Sequence, residues 1–329
     1  MRILIFSRPG DCFPNIISKG LLEMIQNHGF EAEVIHEIPF LMRSLPLNEK
    51  PIRWEVNLGF RIREKIKYCW TDYRLKKKLA KADLIVVSEC FANLFWKNYL
   101  YIEILRKISK AKLVSYSDGP LNSAPDHKLR WLNSNDFDET RFDFNLFVTD
   151  KIEQKFELNA NQFKIGVKLT ELTEFKLSTK IFQVLFDFDQ EGFEEEREFQ
   201  VRAVNSLGIQ NKKLIGKYSN KEIRQIYSES NLLFLSFPET FGLSIAEALY
   251  YGCKIMIPDR SWVMSWDLYE ELPDCFVVYN RNNITEVLRK ELMSVNFSRE
   301  KIQRQFQEKY PFFVHGNTNE LEKFLNQFS

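Results

Sequence analysis

Two glutamates, Glu239 and Glu247, stand eight residues apart in the stretch SFPETFGLSIAEALYYG, residues 236–252. A carboxylate accepts paired hydrogen bonds from neighbouring sugar hydroxyls. The first amides of a helix lack intrahelical acceptors and, with the helix dipole, suit phosphate oxygens. Glu239 precedes the helix that Leu243 begins, and Glu247 falls about one turn inside it. Glu239 can therefore hold a sugar, the amides near Gly242, Leu243 and Ser244 a diphosphate, and Glu247 a diol such as a ribose. Gly242 lets a ligand approach the backbone without meeting a Cβ. The competing reading is ordinary helix dressing, since acidic residues are favoured near helix N-termini.

These residues need a strand, a turn and a helix to place them. NLLFLSF reads as a buried strand, PETFG as the turn and GLSIAEALYYG as the helix, with CKIMIPD as the next strand. The same alternation runs along the whole chain of 329 residues. RILIFS, FEAEVIHEI, ADLIVVSE, AKLVSYSD and FNLFVTD are strand-like in the first half, and NIISKGLLEMIQNHG is a helix stopped at Gly29. KIFQVLFDF and NKKLIGKY are strands of the second half. There GFEEEREFQVRAVNSLG is a helix closed by Gly208, and Ser219 and Glu222 have capping-box spacing before NKEIRQIYSES. The final sixty residues read as helical. Two βα series predict an α/β protein of two doubly wound, Rossmann-like domains, residues 1–165 and 166–329, with the junction near 164–180 and a cleft between facing strand ends.

Composition is that of a globular chain, 44% hydrophobic and 28% charged, with twelve glycines and twenty-nine phenylalanines. The net charge of +1 divides unevenly: Lys and Arg exceed Asp and Glu by five in residues 1–165 and fall short by four in 166–329. The five cysteines show no metal-ligand spacing, so no metal site is expected, and a reducing, cytoplasmic setting is. No apolar run approaches a membrane span. No GxGxxG follows RILIFS, which argues against a dinucleotide dehydrogenase.

The segment PETFGLSIAEALYYGCKIMIPD resembles the E-x7-E region of retaining family-4 glycosyltransferases of the GT-B fold, and NKKLIGKYSNKEIRQIYSESNLLFLSF before it is similar to the same family. The clear resemblance covers roughly residues 211–260; MRILIFS and FDFNLFVTDKIEQKF fit more weakly. It implies that Glu239 touches the donor sugar, the amides from Phe241 to Ser244 the diphosphate, and Glu247 the ribose. The implied activity is hexosyl transfer from a nucleotide-diphosphate sugar to a glycan or lipid-linked acceptor, as in polysaccharide biosynthesis. No cofactor is implied beyond that co-substrate. The leaving phosphate is expected to accept the acceptor's proton on the same face, with retention, so Glu239 positions the sugar rather than attacking it. Removal of Glu247 is expected to weaken nucleotide binding and leave the fold intact.

One departure is plain. The family places an arginine and a lysine after the first strand of its second domain, whereas this chain has FDFDQEGFEEER, with Asp187, Asp189 and Glu191 in the loop. Negative charge there opposes the charge growing on a leaving diphosphate. Arg197, Lys217 and Arg260 are the substitutes the sequence offers, each with a surface-charge alternative. Asp118, in YSDGP, ends a strand and is a candidate to orient or deprotonate an acceptor hydroxyl, or simply a turn residue. His127 reads as loop chemistry. Arg8 and Gly10, in SRPGDCFP, follow the first strand, where the resemblance implies a glycine-containing loop against the donor or acceptor, and are candidates for those contacts. The acidic loop keeps a second reading open, a catalytically weak subunit that binds a glycan or partners an active transferase. A sugar-nucleotide epimerase is a third.

Residues 52–81, IRWEVNLGFRIREKIKYCWTDYRLKKKLAK, hold ten Lys or Arg against three acids, interleaved with Trp54, Phe60, Tyr68, Trp70 and Tyr73. Basic and aromatic side chains together suit an anionic membrane surface, which would make the protein peripheral on the inner face. A solvated helix with its aromatics turned inward is the alternative. No nucleic-acid reader motif is present.

Overall fold

The computed structural model describes residues 1–7, 13–36, 73–88, 105–117, 141–149, 151–152, 154–155, 157–172, 174–175, 177, 181–239, 242–263, 266–294 and 298–328. They form two compact units. Unit 1 is Met1–Val148, Glu157–Lys168 and Asn317–Ser329; unit 2 is Thr149–Phe156 and Leu169–Gly316.

Unit 1 is built on a parallel sheet. Its strands are β1 (Arg2–Phe6), β2 (Glu31–Ile35), β3 (Leu84–Ser88), β4 (Lys112–Ser117), β5 (Phe144–Phe147) and β8 (Gln162–Lys164), in the order β2-β1-β3-β4-β5-β8. Every residue of β3, LIVVS, is buried, as expected of a parallel strand covered on both faces. Helix α1 (Phe13–Asn27) makes the crossover from β1 to β2 and ends as Gly29 takes φ +80°. Its Gly20 allows a close approach, because a Cβ there would lie 2.1 Å from the carbonyl oxygen of Lys168. Between β5 and β8, the short strands β6 (Lys151–Ile152) and β7 (Gln154–Lys155) form an antiparallel ladder assigned to unit 2.

Unit 2 repeats the plan with β9 (Gln183–Phe186), α2 (Glu194–Ser206), β10 (Gln210–Lys213), α3 (Asn220–Glu229), β11 (Leu232–Phe234), α4 (Leu243–Tyr250) and β12 (Lys254–Ile257). The short helix α5 (Trp266–Glu271) then leads to β13 (Phe276–Val278), and all strands pair in parallel in the order β10-β9-β11-β12-β13. Val184, Phe186, Leu232, Phe234, Met256 and Val277 pack with Val204 of α2 and with Ile284 and Leu288 of α6 (Ile284–Met293). The capping box forms as its spacing requires: Ser219 Oγ accepts the Glu222 N–H and Glu222 accepts the Ser219 N–H. The expectation of an all-helical end is corrected by β13. Its three residues complete the sheet beside β12, a run too short for its period to show.

Helices α7 (Arg299–Lys309) and α8 (Phe312–His315) close unit 2, after which α9 (Thr318–Leu325) belongs to unit 1. Phe324 lies 5.8 Å from Phe144 and 5.4 Å from Phe163, and Phe328 lies 5.1 Å from Phe144, ring centre to ring centre. Asn317 donates to the Lys164 carbonyl at 3.1 Å. A single cut at 165 does not reproduce this division, because these aromatics bind the last helix to the sheet of unit 1.

Of the basic aromatic stretch, residues 52–72 lie outside the described residues. Residues 73–79 are helical, with Leu75 and Leu79 buried and Tyr73, Lys76 and Lys77 exposed; Lys78 pairs with Glu33. Among the described residues no helix is long and apolar enough to cross a membrane.

Candidate functional site

The strand order of unit 2 reverses at β9, which has β10 on one side and β11 on the other. Chains leaving such neighbours diverge and open a crevice at their carboxyl ends, where open parallel sheets bind ligands. The segments that leave β9 and β11 are Asp187–Asp189 and Leu235–Glu239. They are stitched together: the Asp187 N–H donates to the Phe234 carbonyl at 3.1 Å, and Ser236 Oγ donates to the Phe188 carbonyl.

On the β11 side, the Glu239 N–H donates to the Trp262 carbonyl at 2.8 Å, and Glu239 bridges to Val263 in parallel. The turn Arg260–Trp262, after β12, thus fixes the backbone of Glu239. The half-buried Glu239 side chain receives Ser244 Oγ at 3.4 Å. Gly242 caps α4 with φ +74° and no side-chain cap. That left-handed value suits glycine, and an added Cβ would also lie 2.5 Å from Ile245 Cδ1.

Glu247 is buried rather than open to solvent. Arg224 of α3, also buried, donates from Nε to Glu247 Oε1 at 2.8 Å; its Nη2 lies 2.8 Å from the same oxygen but out of hydrogen-bond alignment. Nη1 of Arg224 donates to the carbonyls of Thr170 at 2.8 Å and Glu171 at 2.9 Å. Burial pushes the Glu247 carboxyl above its ordinary range, and Arg224 opposes the rise. Glu247 Oε2 has no hydrogen-bond partner among the described residues.

The β9 side carries the acidic loop. Asp187 is 3% exposed; its Oδ1 accepts the Phe188 N–H at 2.7 Å, and its buried Oδ2 has no partner among the described residues. Burial raises this carboxyl to about 6, against the pull of the Phe188 N–H and Arg197. Arg197 of α2 is buried as well. It donates to the Asp187 carbonyl at 3.0 Å and to Gln200 at 2.7 Å, and its Nε lies 3.4 Å from Asp189. Lys213, at the end of β10, holds the other Asp189 oxygen at 2.5 Å.

No family model matches the chain, and no curated protein matches it. Solved structures match it over nearly its full length. Sucrose-phosphate synthase from Thermosynechococcus elongatus is 13% identical, with 99% of this chain and 97% of that one covered and a TM-score of 0.57. The glycosyltransferase SnogD from Streptomyces nogalater is 13% identical, with both chains fully covered and a TM-score of 0.52. The chain has the GT-B fold. A Listeria monocytogenes protein assigned as a UDP-N-acetylglucosamine 2-epimerase shares it, at 12% identity, 93% and 90% coverage and a TM-score of 0.53.

In this GT-B chain, Glu239, Gly242, Leu243, Ser244 and Glu247 gather around the start of α4. Arg8, Gly10, Asp118, His127 and Phe241 lie outside the described residues. The cations offered by sequence fare differently. Lys217 is exposed in the loop after β10. Arg260 pairs with Glu270 at 3.1 Å and stands 5.3 Å over the Tyr269 ring. Arg197, offered by the sequence as a substitute cation or a surface charge, is a core arginine: the Asp187 carbonyl and Gln200 accept its hydrogen bonds, and Asp189 pairs with it. Sequence reasoning missed Arg224 and the support of Glu239 by Trp262. The signal for Arg224 was its place three and four residues before Tyr227 and Ser228, which share its buried side of α3.

Proposed function

We propose that the chain is a glycosyltransferase that moves a hexosyl group from a nucleotide-diphosphate donor to a glycan or lipid-linked acceptor with retention, as in family 4. The observation that carries this reading is the uncapped start of α4 beside Glu239, at the point where the strand order of unit 2 reverses. The first amides of α4, at Leu243 and Ser244, lack intrahelical acceptors and suit a diphosphate, and Glu239 and Glu247 supply acceptors for the sugar and the ribose. Helix amides supply the electrostatic role that a metal fills elsewhere, so transfer is expected without one. The acceptor side, through Arg8, Gly10 and Asp118, belongs to the same proposal. So does a place at the cytoplasmic face of a membrane, with residues 52–81 against anionic lipid. A thermal-shift screen with UDP, GDP, ADP and CMP tests the reading: ligand bound only by the folded chain raises its melting temperature by mass action. A flat response to all four refutes it.

A second reading, a glycan-binding or partner subunit of weak activity, draws on the acidic loop. Asp189, in the loop where the family places its cation pair, instead pairs with Arg197 and Lys213. Donor hydrolysis or transfer by the purified chain decides against it. An epimerase would release an altered sugar nucleotide without any acceptor.

A further inference from the structure

We propose that Arg224 is a positioning residue for nucleotide binding, holding the Glu247 carboxylate by one oxygen so that the other accepts hydrogen bonds from the ribose hydroxyls of a nucleoside diphosphate. This rests on the reading of Glu247 as a nucleotide contact. The geometry has three parts. Two guanidinium nitrogens lie 2.8 Å from Oε1, Nε in hydrogen-bond alignment, and among the described residues Oε2 is the uncommitted acceptor. The third nitrogen is held by two successive carbonyls, at Thr170 and Glu171, so the guanidinium plane is fixed independently of the carboxylate. Glu171 itself takes φ +55°, the described non-glycine residue with a positive value.

A left-handed residue with a Cβ is strained, and such strain persists where surrounding contacts over-determine it. Here the contact is the convergence of both carbonyls on Arg224. A lone buried carboxylate is free to rotate; one whose Oε1 is held by the fixed Nε of Arg224 is not. An acidic side chain inside a short helix thereby becomes a directed acceptor.

The test separates placement from packing by reading ribose selectivity. Binding of UDP, GDP and ADP to the wild-type chain is measured by calorimetry. The tightest is then compared with its counterparts lacking the 2′ or the 3′ hydroxyl. The wild type is expected to favour the complete ribose about tenfold, the worth of roughly one directed hydrogen bond. Glu247→Gln and Arg224→Gln are each expected to bring that ratio near one. Arg224→Lys keeps the charge, loses the fork, and is expected to do the same if Arg224→Gln does not fold. A purely structural role lowers affinity for all three ligands alike and keeps the ratio. Loss of selectivity in Glu247→Gln with full selectivity in folded Arg224 variants overturns this inference alone. A wild type that binds no nucleoside diphosphate, or ignores its hydroxyls, overturns the reading of Glu247 as well.

Discussion

Replacing Asp187 by asparagine is expected to stabilise unit 2, by an amount that depends on pH. The carboxyl is 3% exposed and titrates at about 6, against an ordinary 3.8. One pH unit of displacement is worth about 1.4 kcal/mol, so an ionised Asp187 costs the folded state about 3 kcal/mol at neutral pH. The sign follows from proton binding. Between about pH 4 and pH 6 the folded chain holds this proton and the unfolded chain has lost it, so stability from this group falls as pH rises and levels off above 6. Asparagine has no charge to bury, and its Oδ1 can still accept the Phe188 N–H. The gain in Asp187→Asn is therefore expected to be about 3 kcal/mol at pH 8 and about half that at pH 5. Hydrogen exchange at the amides of β9 and β11 reads the stability of unit 2 directly. The difference between the two proteins cancels other carboxylates, such as Glu33, whose ion pairs with Lys78 and Arg2 offset its burial and shift it the opposite way. A gain unchanged between the two pH values, or a loss at pH 8, refutes the argument.

Glu247→Ala breaks a buried ion pair and leaves Arg224 uncompensated, so a loss of about 3–5 kcal/mol in urea unfolding is expected, in place of the intact fold anticipated from sequence. Gly252→Ala should cost about 2 kcal/mol or more in the same assay: φ is +75° and the new Cβ would lie 2.6 Å from the Arg299 carbonyl oxygen. Glu239→Gln should leave the affinity for the bare nucleotide within twofold and abolish sugar transfer; an equal fall in both would remove Glu239 from the sugar. Changing Lys76, Lys77 and Lys78 together to glutamate should end co-sedimentation with anionic vesicles at low salt, and a wild type that ignores such vesicles ends the membrane proposal.

The inner strands of both sheets, such as β1, β3, β9 and β12, were legible because they are buried and read as apolar runs, and Gly29 and Gly208 stop helices in the left-handed conformation that glycine tolerates. The capping box was legible because its atoms lie within four residues. What escaped the sequence depends on distant partners. Arg224 looks like a surface residue of a charged helix until Glu247, Thr170 and Glu171 converge on it from two other segments. Asp187 and Arg197 look like loop and surface charges, yet both are buried, with Arg197 and Gln200 of α2 donating to the carbonyls of Asp187 and Leu235 just after β9 and β11. β13 and β8 have three residues each and owe their conformation to the strands beside them.

The return of α9 to unit 1 also bears on how the chain emerges during synthesis. Unit 2 contains one long continuous stretch, Leu169–Gly316, and that stretch can pack once it has been made. Unit 1 cannot finish so early. The rings that meet Phe144 and Phe163 are on Phe324 and Phe328, beyond the whole of that stretch. At about 5–20 residues per second, the sheet of unit 1 waits on the order of ten seconds for its covering helix. During that interval its aromatic edge stands open to chaperones and to other nascent chains. The usual N-terminal-first order is thus reversed for completion, and a chain halted before Asn317 would carry a finished unit 2 behind an unfinished unit 1.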